Sequence, residues 1–324
     1  MPVWSPTYGE SDTPSRVMNS FRMSCYTALR KISYKRQIAP SVLLIYDLER
    51  PGAALCRARG AFAEVYQGEW LGESVAIKVV TKPVRQGETA EEGKKKTWLR
   101  ELVVWRQLQH ANILPLLGIR YWEETSPHEV AAMCIVSPWA AYGTLSEYLR
   151  VPEGQACDRL SILTKVADAL CYLHAHDPEM VHGDLHPANI VIDHDQQPLV
   201  TDFGLSQFYR SFTTSAISSE KGYEQYRAPE VWESDNGFNP TSAADMYAFG
   251  CLCYEVYSGR RPWGDKKGLS IYHELLSRRP PRSRKISDNI WDIIKSCWKR
   301  NVADRTRAKD VWIQMRDLQG MSSG

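Results

Sequence analysis

The sequence lacks the marks of several large protein classes. No apolar run approaches the roughly 20 residues that a helix needs to cross a bilayer, so no membrane span is expected. The first thirty residues hold no apolar core of about 7–15 residues, and no signal peptide is read there. Charge of one sign is also missing. Lys and Arg number 40 and Asp and Glu 38, leaving a formal net charge of +2, too little to recruit nucleic acid. The eight cysteines form no C-x-x-C pair and no His/Cys cluster at zinc spacing, which argues against a zinc module. Reduced thiols are the natural reading, and with them a cytoplasmic protein, the nucleus being the alternative. There is no internal repeat.

What is present suits a soluble globular chain. It has 324 residues, 43% apolar and 24% charged, enough for one large two-lobed domain or two ordinary ones. Residues 1–45 read as an N-terminal extension. Residues 1–20 are polar and expected to be disordered. Residues 21–37, "FRMSCYTALRKISYKRQ", predict a short basic helix with Arg30, Lys31, Lys35 and Arg36 close together. Its basic face is expected to be solvated, a membrane or partner contact being the other reading. "SVLLIYDL", "AEVYQGEW" and "SVAIKVV" then read as short strands, and "MCIVSPW" as a further one. A helical run is expected from Thr97 to about Gln109. Beyond Gly143 the chain is mostly helical. In "LSILTKVADALCYLH", apolar residues recur at i, i+3, i+4 and i+7. Later helices are expected near 228–234, 243–258, 269–277, 288–297 and 308–317. Strands first and helices afterwards imply an α+β fold in two lobes.

The chemistry concentrates in a few stretches. "VAIK" puts Lys78 on a strand among apolar residues, a costly place unless an anion pairs with it. "ARGAFAEVYQG" precedes it, with Gly60 between Ala58 and Ala63 and Gly68 at its end. "LRELVVW" carries Glu101 on the helical run. "VHGDLHPANIVID" holds a His, an Asp two residues on, and an Asn five residues after that Asp. "TDFG" supplies Asp202 downstream. Between Asn189 and Asp202, "IVIDHDQQPLV" reads as two apolar strands around an Asp/Gln/Pro turn, a hairpin that would bring both residues together. An Asn/Asp pair is enough for Mg²⁺, which keeps phosphate and water as its other ligands.

Phosphotransferases of two kinds use the His-Asp-Asn skeleton. Protein kinases usually write H-R-D-L-x-x-x-N, and small-molecule kinases often write H-G-D-L-H-P-x-N. Letter for letter, residues 182–189 look like the second. The decision lies further on, in "YRAPE" at 226–230, in "ADMYAFGCLCYEVYSGRRPW" with Asp245, and in "CWKRNVADR" ending at Arg305. With these, the chain resembles the eukaryotic protein kinase family over residues of about 50–318. It looks most like the tyrosine-kinase-like Ser/Thr group, with a texture similar to its expanded set in mushroom-forming fungi.

That resemblance implies an α+β fold with a β-rich N-lobe (46–136) carrying one regulatory helix, a hinge (137–142), a mostly helical C-lobe (143–318) and a tail (319–324). It implies ATP and Mg²⁺ as cofactors and a protein as substrate. Lys78, paired with Glu101, would hold the α- and β-phosphates. Gly60, Val65, Ala76, Ser137, Trp139, Ala140 and Val191 would surround the nucleotide, with Ser137 as gatekeeper and Pro138, Trp139 and Ala140 as hinge. Asp184 would orient the attacking hydroxyl, and Asn189 and Asp202 would bind Mg²⁺. Trp105, Leu116, His182 and Phe203 would stack as an internal column. Glu230 would pair with Arg305, and Asp245 would tie down the catalytic loop.

Four departures from the pattern stand out. The glycine loop is depleted. Gly183 replaces the Arg before Asp184, so a phosphate on Thr213, Thr214, Ser215, Ser218 or Ser219 would find no partner there, and weak dependence on activation-segment phosphorylation is expected. His186 replaces a Lys or Arg expected near the γ-phosphate, and Tyr223 replaces a Thr. An active protein kinase acting on Ser or Thr is the first reading. A pseudokinase scaffold is the alternative and a small-molecule phosphotransferase a third. Substrate identity, upstream signal and oligomeric state are not written in the sequence.

Overall fold

A computed structural model of the chain describes residues 24–25, 27–29, 31–33, 35–36, 39–59, 63–80, 102–122, 132–176, 179–202, 223–233 and 241–322. The N-terminal half builds one antiparallel sheet from β1 (Cys56–Arg59), β2 (Ala63–Trp70), β3 (Glu73–Val80), β4 (Gly118–Trp122) and β5 (Ala132–Pro138), in the order β1-β2-β3-β5-β4. β2 and β3 meet at a turn through Leu71 and Gly72, both at positive φ. The β-branched strands bury one face: Val75, Ile77, Cys134 and Val136 join Ile45, Leu48 and Trp122 in a small N-lobe core.

Two short strands, β6 (Ile190–Ile192) and β7 (Pro198–Val200), form the expected hairpin. The rest is helical: α1 (Leu145–Tyr148), α2 (Pro152–Ala156), α3 (Arg159–His174), α4 (Pro229–Trp232), α5 (Ser242–Ser258), α6 (Leu269–Ser277), α7 (Asp288–Cys297) and α8 (Ala308–Ser322). Their starts follow from capping chemistry. Thr144 and Glu147 form a reciprocal box at α1, while Asp158 caps α3 and Thr241 caps α5. α5 is apolar almost all round and buried almost all round, and Gly259 ends it in the left-handed region. The five later helices lie close to their expected places, whereas of the helical run expected from Thr97 to about Gln109, residues 97–101 lie outside the described residues and 102–105 are helical. The α+β reading in two lobes is what the structure shows.

The beginning of the chain differs from expectation. "SVLLIYDL" is no strand: it is a 3-10 turn, Ser41–Leu43, followed by a single bridge from Leu44 to Ile119. The Ile45 N–H donates to the Ile119 carbonyl at 2.8 Å, and the Arg120 guanidinium donates back to the Ile45 carbonyl. Apolar side chains rather than a ladder hold the segment. Ala39, Leu43, Ile45 and Leu48 are buried, so packed structure begins ahead of residue 46. The described residues between 24 and 36 are helical, and Leu29 among them packs against the main core. At the other end α8 runs to Ser322, into the residues taken as a tail. No helix among the described residues is long and apolar enough to cross a membrane.

Candidate active site

Alternation along β3 sends Val75 and Ile77 into the N-lobe core and leaves Ala76 and Lys78 on the opposite face. Register then brings their neighbours to that face: Val65 lies across from Lys78, and Ser137 across from Ala76. The chain leaves β5 with the Trp139 N–H donating to the Ser74 carbonyl, and Gly143 turns it back onto the Ala140 carbonyl at positive φ. Tyr142 and Gly143 bond the backbone of Ile192, which ties the 137–142 segment to β6 and sets Val191 opposite Thr144. The sheet face above and β6 below bound one cleft.

The hairpin is fixed by Asp193, whose Oδ1 accepts the N–H groups of Asp195 and Gln197. Its register pairs Ile190 with Val200, and the Thr201 N–H donates to the Asn189 carbonyl at 3.0 Å. Asn189 and Asp202 are thereby neighbours. Asp202, at positive φ, meets Lys78 Nζ through both carboxylate oxygens at 2.6 Å. Asn189 Nδ2 donates to the Asp184 carbonyl at 2.8 Å and lies 3.4 Å from Asp184 Oδ2, so the amide oxygen is the end turned away from Asp184. An amide oxygen beside a carboxylate is a hard, all-oxygen donor set, which fits Mg²⁺.

Asp184 sits on a loop anchored from beneath. Asp245, 1% exposed, accepts the His182 N–H at 2.7 Å and the Gly183 N–H at 2.8 Å, and it faces His174 Nε2 at 2.9 Å. A buried carboxylate needs this many donors. Gly183 stands at φ 76°, which glycine adopts without steric cost. The loop ends in a 3-10 turn, Pro187–Asn189, capped by the His186 side chain. On the C-lobe side, Arg305 meets Glu230 with two bonds of 2.6 and 3.0 Å, as the resemblance implied.

His186 is packed beside Asp184 rather than extended into the cleft. It is 5% exposed, and its Nδ1 accepts the Ala188 N–H. Its Nε2 lies 3.6 Å from Asp184 Oδ2, and its ring stacks on Tyr223 with centroids 3.8 Å apart and planes 6° from parallel. The Asp184 side chain is 51% exposed at the cleft floor. Burial pushes its carboxyl up, but His186, His182 and Arg227 together pull it well below the usual carboxylate range. A carboxylate so weakly basic orients a hydroxyl more readily than it keeps the proton.

Trp105 and Leu116 lie in the same buried cluster, where Trp105 Nε1 donates to the Leu114 carbonyl, and His182 is fully buried. Gly60, Glu101, Phe203, Thr213, Thr214, Ser215, Ser218 and Ser219 lie outside the described residues. Nothing in the residue pattern pointed to His174 joining Asp245, or to contact between the rings of His186 and Tyr223.

Comparison with known proteins agrees with this geometry. The family model described as protein tyrosine and serine/threonine kinase matches residues 57–315. The chain is similar to a probable serine/threonine-protein kinase of Dictyostelium discoideum, 28% identical over 79% of this chain and 23% of the relative. It is similar to the dual specificity protein kinase splA of the same organism, 27% identical over 82% of this chain and 11% of the relative. It is also similar to the serine/threonine-protein kinase CTR1 of Arabidopsis thaliana, 29% identical over 80% of this chain and 30% of that protein. The chain thus spans less than a third of the length of each of these three relatives. It belongs to the eukaryotic protein kinase family, on its tyrosine-kinase-like side.

Proposed function

We propose that this chain is an active protein kinase that transfers the γ-phosphoryl group of ATP, with Mg²⁺, to a Ser or Thr hydroxyl of a protein. The observation that carries the reading is the convergence of Lys78, Asp202, Asn189 and Asp184 through direct contacts and one hairpin. Phosphoryl transfer needs positioning and charge neutralisation more than covalent chemistry, and these groups supply both. Lys78 brings a positive charge to the phosphate side. Asp184 Oδ2 accepts the hydrogen bond of the acceptor hydroxyl and aligns its oxygen for attack. Asn189 and Asp202 would hold Mg²⁺, which neutralises charge on the phosphates when bound. Val65, Ala76, Ser137, Trp139, Ala140 and Val191 border the space for the adenine. Gly60 would close over the phosphates and Glu101 would support Lys78. We place the protein in the cytoplasm, with the nucleus as the alternative, on cysteine usage alone.

Ala58 and Ala63, in place of two loop glycines, favour a second reading, a pseudokinase that binds nucleotide or partners without efficient catalysis. One experiment separates the two: a peptide array with Mg·ATP followed by phosphoamino-acid analysis, for wild type and Asp184→Ala. Wild-type transfer to Ser or Thr, lost in Asp184→Ala while nucleotide binding persists, is the expected result. Equal, background-level transfer by both proteins would defeat the enzyme reading.

A further inference from the structure

His186 and Tyr223 are both departures from the family pattern, and the fold sets their rings face to face. His186 is held by Ala188, Asp184, Tyr223 and Tyr226. Nδ1 accepts the Ala188 N–H at 3.2 Å, so the proton of the neutral ring resides on Nε2. That nitrogen faces Asp184 Oδ2 at 3.6 Å, on a carboxylate that Asn189 Nδ2 also approaches. The Tyr223 ring lies parallel at 3.8 Å. Tyr223 is itself held. The Tyr226 ring stands 6.3 Å from it and 6.0 Å from His186, and the Arg261 guanidinium carbon lies 5.4 Å from its ring centroid.

We propose that Tyr223 is a positioning residue for Asp184: its ring fixes the plane of His186 in which Nε2 faces the carboxylate. The inference rests on the functional reading above. An imidazole has a rotatable side chain and two chemically different nitrogens. A turn about its ring axis would point carbon at Asp184 and bury an unpartnered nitrogen. A parallel ring at van der Waals distance blocks that turn, because a tilted imidazole would collide with it. Stacking therefore does for histidine what a flexible lysine does for itself by reaching. It also links residue 223, where the chain enters the "YRAPE" segment, to the group that orients the acceptor hydroxyl.

The test pairs kinetics with ¹⁵N NMR of the His186 ring in the full chain, comparing wild type, Tyr223→Phe, Tyr223→Leu, Tyr223→Thr and His186→Lys/Tyr223→Thr. Tyr223→Phe keeps the stack and should keep both the ring-nitrogen shifts and kcat. Tyr223→Leu should average the shifts of the two nitrogens and lower kcat by about tenfold to about a hundredfold, with KM for ATP unchanged. Tyr223→Thr alone should resemble Tyr223→Leu, and the double swap should recover most of the loss, since lysine needs no clamp. Unchanged His186 shifts in Tyr223→Leu, or a kcat within about twofold of wild type, would overturn the proposal. A wild type without transferase activity would defeat the functional reading instead, and the NMR comparison would then decide the positioning claim by itself.

Discussion

Lys78 Nζ meets both oxygens of Asp202 at 2.6 Å, across 124 residues of sequence. Each side chain is about four-fifths buried, so the pair is shielded from bulk water. The two charges join the sheet above the cleft to the hairpin below it. Asp202→Ala should abolish the Mg²⁺-dependent part of the thermal shift given by ATP, because it removes the carboxylate of the donor set. Lys78→Met should keep part of that shift and lower kcat by about 10²–10³, the usual cost of losing one preorganised charge. Thermal shifts in Mg·ATP and in ATP with chelator provide the check. Equal shifts for wild type and Asp202→Ala would contradict the assignment.

The Arg305 side chain is 0% exposed and gives two bonds to Glu230, one to the Ala243 carbonyl and one to the Lys299 carbonyl. Removing Glu230 leaves a buried guanidinium with neutral acceptors only. Glu230→Leu should destabilise the C-lobe by about 3–5 kcal/mol, and Arg305→Met/Glu230→Leu by clearly less, since the stranded charge is gone. Urea unfolding of both proteins measures the difference. A double variant less stable than the single one would refute the argument.

Much of this site was legible because its chemistry is local or periodic. The hairpin between Asn189 and Asp202 follows from two apolar triplets around a turn rich in Asp and Gln, and the turn chemistry of Asp193 realises it. Lys78 on an apolar strand signalled an anion, expected to be phosphate with Glu101, which lies outside the described residues; its contact with Asp202 was not foreseen. Asp245 and Arg305 were readable only through the family resemblance, because a buried charge reveals its cost in sequence but not its partner. The 41–48 segment misled: its apolar run looks like a strand, yet Leu43, Ile45 and Leu48 are buried without building a ladder. The His186–Tyr223 stack was out of reach for a related reason. Sequence showed two anomalies but not the distance between them.

That 41–48 segment crosses β4 closely at Gly118. A Cβ there would stand 2.7 Å from the Leu43 carbonyl oxygen and 2.7 Å from an Ile45 side-chain carbon. The first contact is to backbone and cannot be relieved by a rotamer change. Gly118→Ala should therefore cost about 1–3 kcal/mol and loosen the segment from β4. Hydrogen exchange at the Ile45 amide, whose bond to Ile119 is 2.8 Å, reports the loosening. Wild-type protection at Ile45 with unchanged stability would show that the segment adjusts without cost.

His182 is fully buried, and burial lowers its pKa below the ordinary 6.5, with Asp245 and Asp184 only partly opposing the shift. Its Nδ1 accepts the Asp184 N–H at 3.2 Å, a role open only to an unprotonated nitrogen. The native state thus holds this histidine neutral, while the unfolded chain protonates it at its ordinary value. Between the folded pKa and 6.5 the unfolded state binds more protons, so stability rises with pH across that window. The contribution is fully present above 6.5 and is lost as pH falls from 6.5 toward the folded value. His110 is shifted in the same direction by burial and adds an effect of the same sign. The melting temperature of wild type should accordingly drop on acidification from about pH 7 to about pH 5. His182→Phe should be less stable at neutral pH, because the Asp184 N–H loses its acceptor, yet its melting temperature should fall less steeply with acid. Melting curves at several pH values for both proteins give the two slopes. Parallel slopes would mean that His182 carries no linked proton and that the acid sensitivity of the fold lies elsewhere.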